Sequence, residues 1–77
     1  MEYTLNFYGP LSELFGAHGL IALDEASTVS TLRVALEQTF EGLNDYPYTL
    51  AQDGAFKSDH ELLSSGAIEV FPPFSGG

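Results

Sequence analysis

The chain has 77 residues, 44% of them hydrophobic, and sets eleven acidic side chains against two basic ones, Arg33 and Lys57, for a formal net charge of −9. That length makes a single domain able to bury about 60% of its unfolded surface, and its hydrophobic content excludes a disordered chain. With no cysteine, a disulfide framework, a thiolate metal site and a cysteine nucleophile are excluded together, which fits a reducing, cytoplasmic setting.

An acidic surface repels phosphate backbones, so nucleic acid is excluded as a direct partner. No start resembles an export signal and no apolar run approaches the roughly 20 residues that span a bilayer, so no membrane association is expected. The acidity either steers partners with basic docking faces or simply keeps a small domain soluble; composition leaves both open.

Residues 2–8 alternate, with Tyr3, Leu5 and Phe7 on one face and Glu2, Thr4 and Asn6 on the other, which predicts a half-buried strand. Gly9-Pro10 ends it, and residues 11–15 allow a turn or two of helix before Gly16. The apolar run 20–23 predicts a second strand, antiparallel to the first. Over 28–40, Val29, Leu32, Leu36 and Phe40 fall on one stripe behind Thr28 as N-cap, with Gly42 as the stop, which predicts the main helix with all four residues buried. Residues 48–52 read as a third strand, and Asp53-Gly54 as a two-residue hairpin turn into 55–57. The stretch 58–63 reads as irregular. Ser65-Gly66 then turns into a last strand, 67–71, with Ile68 and Val70 on one face and Glu69 and Phe71 on the other.

Burying Ile68 and Val70 requires neighbours on both sides, which places the last strand centrally, beside the first. The layout is α+β, a ubiquitin-like β-grasp: a mixed sheet with one main helix across one face. The domain is expected over 1–71, and 72–77 as an extended tail.

Side-chain chemistry is sparse. His18 and His60 are far apart, lack carboxylates at ligand spacing and read as solvent-facing loop residues, so no metal site is expected. Asp59-His60-Glu61 has no accompanying nucleophile. Asp24-Glu25 ahead of the helix suits its positive dipole end. Neither a P-loop nor a G-x-G-x-x-G segment is present. Tyr8, Phe56, Phe71 and Phe74 fall at strand ends or on the face away from the helix. One helix covers one sheet face, so Tyr8, Phe56 and Phe71 are expected to cluster on the other as a partner interface, with core packing as the plain alternative.

The sequence ends Pro72-Pro73-Phe74-Ser75-Gly76-Gly77. Two glycines without Cβ let the backbone lie extended in a narrow channel, and the prolines stiffen its exit from the domain. A free carboxylate on Gly77 would be the least hindered acyl group a chain can present; a frayed end is the bland alternative.

Phe7-Tyr8-Gly9 followed by Ser12-Glu13-Leu14-Phe15-Gly16, then Thr28-Val29 with Leu32-Arg33, and then Ile68-Glu69-Val70-Phe71-Pro72-Pro73 through Gly76-Gly77 resemble one family across the whole chain. It is the small subunit of molybdopterin synthase, a sulfur-carrier family with the ubiquitin-like fold. Ser12 stands where that family usually has Arg, and Phe74 where a smaller β-branched residue is common.

The resemblance implies that a ubiquitin-activating-type adenylyltransferase uses ATP to adenylate Gly77, and that a persulfide sulfur donor converts the product to a thiocarboxylate. Residues Pro72, Pro73, Phe74, Ser75 and Gly76 would then lie in a channel of the synthase large subunit while sulfur passes to a pterin precursor. It also implies a protein co-substrate with no catalytic side chains and no stably bound cofactor. The same fold and tail would serve thiazole synthesis or tRNA thiolation, and a protein modifier or a non-covalent binding module are readings of a different class.

Overall fold

In the computed structural model, which describes residues 1–73, strand β1 (Glu2–Phe7) buries Tyr3, Leu5 and Phe7 and turns Glu2 and Thr4 to solvent. Gly9 bends the chain into a short helix, α1 (Pro10–Phe15), where Ser12 Oγ donates to the Gly9 carbonyl at 2.7 Å and closes the first turn. Strand β2 (His18–Ala22) returns antiparallel to β1. Then follow β3 (Ser27–Thr28), the main helix α2 (Val29–Thr39) and a 3₁₀ turn, Leu43–Asp45. Strand β4 (Thr49–Gln52) and strand β5 (Ala55–Phe56) form a hairpin; β6 (Leu62–Leu63) and β7 (Gly66–Phe71) complete the described chain.

The order β2-β1-β7-β4-β5 makes a mixed five-stranded sheet, with β3 and β6 paired apart from it. As the burial argument requires, β7 lies centrally, parallel to β1 and antiparallel to β4. Its Ile68 and Val70 join Tyr3, Leu5, Phe7 and Leu50 under Val29, Leu32 and Leu36 of α2 in one core. At Asp53-Gly54 both residues take positive φ, 53° and 81°, matching the primed turn whose twist suits a hairpin.

Three expectations about α2 and residues 58–63 need correction. Helix α2 stops at Thr39: Phe40 is extended (φ −107°, ψ 97°) and only partly buried, its ring set edge-on to Phe7 at 5.1 Å. Residues 58–63 are not wholly irregular, because Ser27↔Leu63 and Thr28↔Leu62 pair as strands. The buried Tyr3 hydroxyl pins that pairing, accepting from Ser27 N at 3.2 Å and donating to Leu63 O at 3.1 Å. Third, Asp24 and Glu25 lie before β3, outside the first turn of α2, which carries no acidic residue. The N-terminal N–H groups of α2 are satisfied otherwise: Thr28 Oγ1 accepts from Thr31, Glu61 O from Val29, and Asp59 O from Ser30.

On the helix side, Arg33 lies 4.4 Å from the Tyr48 ring centroid and donates to the Tyr48 carbonyl at 2.8 Å, while the Tyr48 hydroxyl donates to Glu37 at 2.6 Å. Burial first, and the Glu37 carboxylate second, hold the Tyr48 phenol far above its ordinary 10.0. A folded-state pKa raised in this way adds stability that is complete below the unfolded value and lost as pH rises above it. One such group contributes a slope of at most about 1.4 kcal/mol per pH unit. Tyr48→Phe is therefore expected to flatten the fall in unfolding free energy above about pH 10, measured by urea denaturation; equal slopes in both proteins would contradict the assignment.

Candidate functional site

The sheet face away from α2 is built by register. Asn6 pairs with His18 on one side and Glu69 on the other; Glu69 pairs with Ala51, and Ala51 with Phe56. One row thus crosses all five strands, and in the next row Phe71 stands beside Thr49. Tyr8 extends the β1–β7 pairing by one more bond, its N–H donating to Val70 O at 3.1 Å.

This register brings Tyr8, Phe56 and Phe71 together. Tyr8 stacks on Phe71 with centroids 4.7 Å apart and planes 12° apart, and Phe56 meets Phe71 edge-on at 5.7 Å. Tyr8 is 41% exposed and Phe56 56%, with Phe71 partly buried, so the cluster stands outside the core. Exposed aromatic rings gathered on one face suit a docking surface.

Sequence reasoning missed the polar network beside the rings. Asn6 Nδ2 and the Tyr8 hydroxyl donate to Glu69 Oε2 at 3.1 and 2.9 Å. With Asn6 donating through Nδ2, its Oδ1 accepts from His18 Nδ1 at 2.8 Å, which fixes the proton on that ring nitrogen. His18 is accordingly an exposed strand residue, not a loop residue. The Glu69 carboxylate, through that hydrogen bond, raises the Tyr8 phenol above its ordinary value. Alternation alone placed Asn6 and Glu69 on the outer face; only the parallel β1–β7 register makes them neighbours.

The second part of the site is the tail exit. Gly9 has φ 59° and ψ −141°, a conformation that costs other residues on the order of 1–3 kcal/mol. A Cβ there would sit 3.2 Å from Pro72 Cγ, so the bare glycine lets Pro72 pack against the turn after β1. Gly9→Ala is expected to lower stability by about that 1–3 kcal/mol and to shift the Tyr8 and Phe71 amide resonances. A thermal melt and an amide correlation spectrum check both. Pro73 is exposed, and the expected tail positions Phe74, Ser75, Gly76 and Gly77 lie outside the described residues.

The remaining sequence candidates have structural roles. Asp59 pairs with Arg33 at 3.6 Å, and Glu61 accepts from Ser58 N at 2.7 Å, a hydrogen bond that holds its carboxyl below the ordinary 4.5. His60 is exposed. Among the described residues no group of three or more His, Cys, Asp or Glu could hold a metal ion. No helix among them is long and apolar enough to cross a membrane. A cleft lined by Leu23, Asp24, Glu25, Ala26, Ser27 and Thr31 includes neither the rings nor the tail exit.

A mixed sheet with a central strand parallel to the first, covered by one main helix, defines a ubiquitin-like β-grasp. Solved structures of the same fold include a candidate molybdopterin converting factor, subunit 1, from Pyrococcus furiosus (TM-score 0.82, 21% identity, 94% of this chain and 97% of that one). Small archaeal modifier protein 1 from Haloferax volcanii aligns with a TM-score of 0.80 and 18% identity over 94% of this chain and 97% of that one. The HVO 2177 protein of the same organism aligns at 0.78 and 25% over 100% and 87%. No protein-family model matches the sequence, and no curated protein matches it significantly. At 21 and 18% identity, the molybdopterin-converting and modifier neighbours share the fold of this chain.

Proposed function

We propose that this chain is a sulfur-carrier protein that serves molybdopterin biosynthesis. The observation that carries the reading is the central strand β7, which runs from the core directly into Pro72-Pro73 and towards Gly76-Gly77. A strand paired on both sides makes a rigid base, and Pro72 against Gly9 fixes where the tail leaves it. The fold shared with the candidate converting-factor subunit supports the pathway.

In this reading an adenylyltransferase of the ubiquitin-activating type binds the Tyr8, Phe56 and Phe71 face. The Gly77 carboxylate attacks the α-phosphate of ATP and pyrophosphate leaves. A persulfide sulfur then displaces AMP from the acyl carbon, and a thiol cleaves the resulting sulfur–sulfur bond to release the thiocarboxylate. Sulfur is softer than oxygen and the group is anionic at neutral pH, so the tail becomes a tethered nucleophile for a pterin precursor in the synthase large subunit. The catalytic side chains belong to the partners.

The likeness to small archaeal modifier protein 1 favours a second reading, in which a lysine amine displaces AMP and Gly77 ends in an isopeptide bond. Mass spectrometry of the protein isolated from its host separates them. Replacement of one oxygen by sulfur on the terminal peptide is expected for the carrier; isopeptide adducts on other proteins would establish the modifier; a Gly77 carboxylate never found in either form would defeat both.

A further inference from the structure

Glu69 places a carboxylate where the rings meet, partly buried on the outer row of β7. Both donors it receives, Asn6 Nδ2 and the Tyr8 hydroxyl, land on Oε2; among the described residues Oε1 receives none. The chain has two cationic side chains to offer. Arg33 is held on the helix side by Tyr48 and Asp59, and among the described residues no hydrogen bond or ion pair joins Lys57 to Glu69. A partner that closes over this face strips water from Glu69, and a carboxylate desolvated without a compensating donor is costly. A partner that brings a cation converts that cost into a charge-assisted hydrogen bond.

We propose that Glu69 is the specificity anchor of this face and accepts one basic side chain, lysine or end-on arginine, set within an apolar docking patch of the partner protein. This rests on the reading of Tyr8, Phe56 and Phe71 as the docking face. Because Oε2 already holds two hydrogen bonds, the cation meets the carboxylate through Oε1, which excludes a bidentate arginine fork across both oxygens. Phe71 covers one face of the Tyr8 ring, which is 41% exposed and meets the carboxylate through its hydroxyl, so the ring stands within reach of the same cation. His18 acts as a positioning residue: by donating to Asn6 Oδ1 it turns Asn6 Nδ2 towards Glu69. The net charge of −9 draws a basic partner in, and Glu69 sets its register.

The test is an NMR titration of the full chain at fixed ionic strength with N-acetyl-lysine methylamide and N-acetyl-arginine methylamide, the glutamine analogue serving as neutral control. The cationic probes are expected to shift the Glu69 carboxyl carbon and the Tyr8 and Phe71 ring signals saturably. Binding there should be about 5-fold tighter than at Asp24, Glu25 or Asp53. Glu69→Gln retains an acceptor for Asn6 and Tyr8 but removes the charge, and should abolish that site while changing resonances only at its immediate neighbours, Asn6 and Tyr8 among them. Equal weak shifts at all carboxylates, or unchanged binding in Glu69→Gln, would overturn the proposal. The mass spectrum of the Gly77 peptide involves no cation, so the carrier reading and this one can fail independently.

Discussion

Leu36→Ala should lower the unfolding free energy by about 2–5 kcal/mol, against a total of roughly 5–15 kcal/mol for a natural domain. Leu36 is fully buried in the centre of α2 and packs in the core with Val29 and Leu32 over Ile68 and Val70. Removing three of its carbon atoms forfeits their transfer free energy and leaves a cavity that surrounding strands, held on both sides, cannot close fully. Val34 lies two residues earlier in the same helix but is 56% exposed, so Val34→Ala should stay within about 0.5 kcal/mol. Urea denaturation of both variants is the measurement. A shared m-value with a lowered midpoint for Leu36→Ala alone is the expected pattern; similar midpoints for the two variants would disprove the assigned core face of α2.

The contrast between those two residues was legible in the sequence, because a 3.6-residue stripe through Val29, Leu32 and Leu36 excludes position 34. The alternation of Tyr3, Leu5 and Phe7, the Asp53-Gly54 turn and the central place of the last strand were legible for similar reasons: each follows from local spacing or from the need to bury a face. Phe40 shows the limit of that logic. Its spacing continues the stripe, yet the helix ends one residue earlier, and its ring reaches Phe7 and Phe15 from an extended backbone. Strands β3 and β6 are two residues each, too short for any period, and their pairing depends on a tyrosine hydroxyl more than twenty residues away in sequence. The outer-face site divides in the same way. Parity put Tyr8, Phe56 and Phe71 away from the helix, whereas the contact between Asn6, Glu69 and Tyr8 needs the register of β1 against β7.

Removing Gly77 should abolish thiocarboxylate formation and sulfur transfer while leaving the melting temperature unchanged. Stability should be indifferent because the pairing of β7 ends at Phe71 and its core side chains are Ile68 and Val70. Chemistry should not be indifferent. The truncated chain still ends in a carboxylate, but one drawn back by roughly 3.5 Å along an extended backbone. A misplacement of only about 1 Å can cost on the order of 10²-fold in rate. The tail cannot recover that distance by loosening its base, since Pro72 rests against Gly9 and β7 is hydrogen-bonded to both neighbours. An extra residue after Gly77 should be as damaging, because it places an amide where the activated carboxylate belongs. Gly76→Ala should be milder, its effect set by how closely the partner's channel fits the backbone. The assay is carrier-dependent ATP–pyrophosphate exchange by the host adenylyltransferase, followed by the mass of the terminal peptide. Near-normal sulfur gain by the Gly77-deleted chain would remove Gly77 from the mechanism.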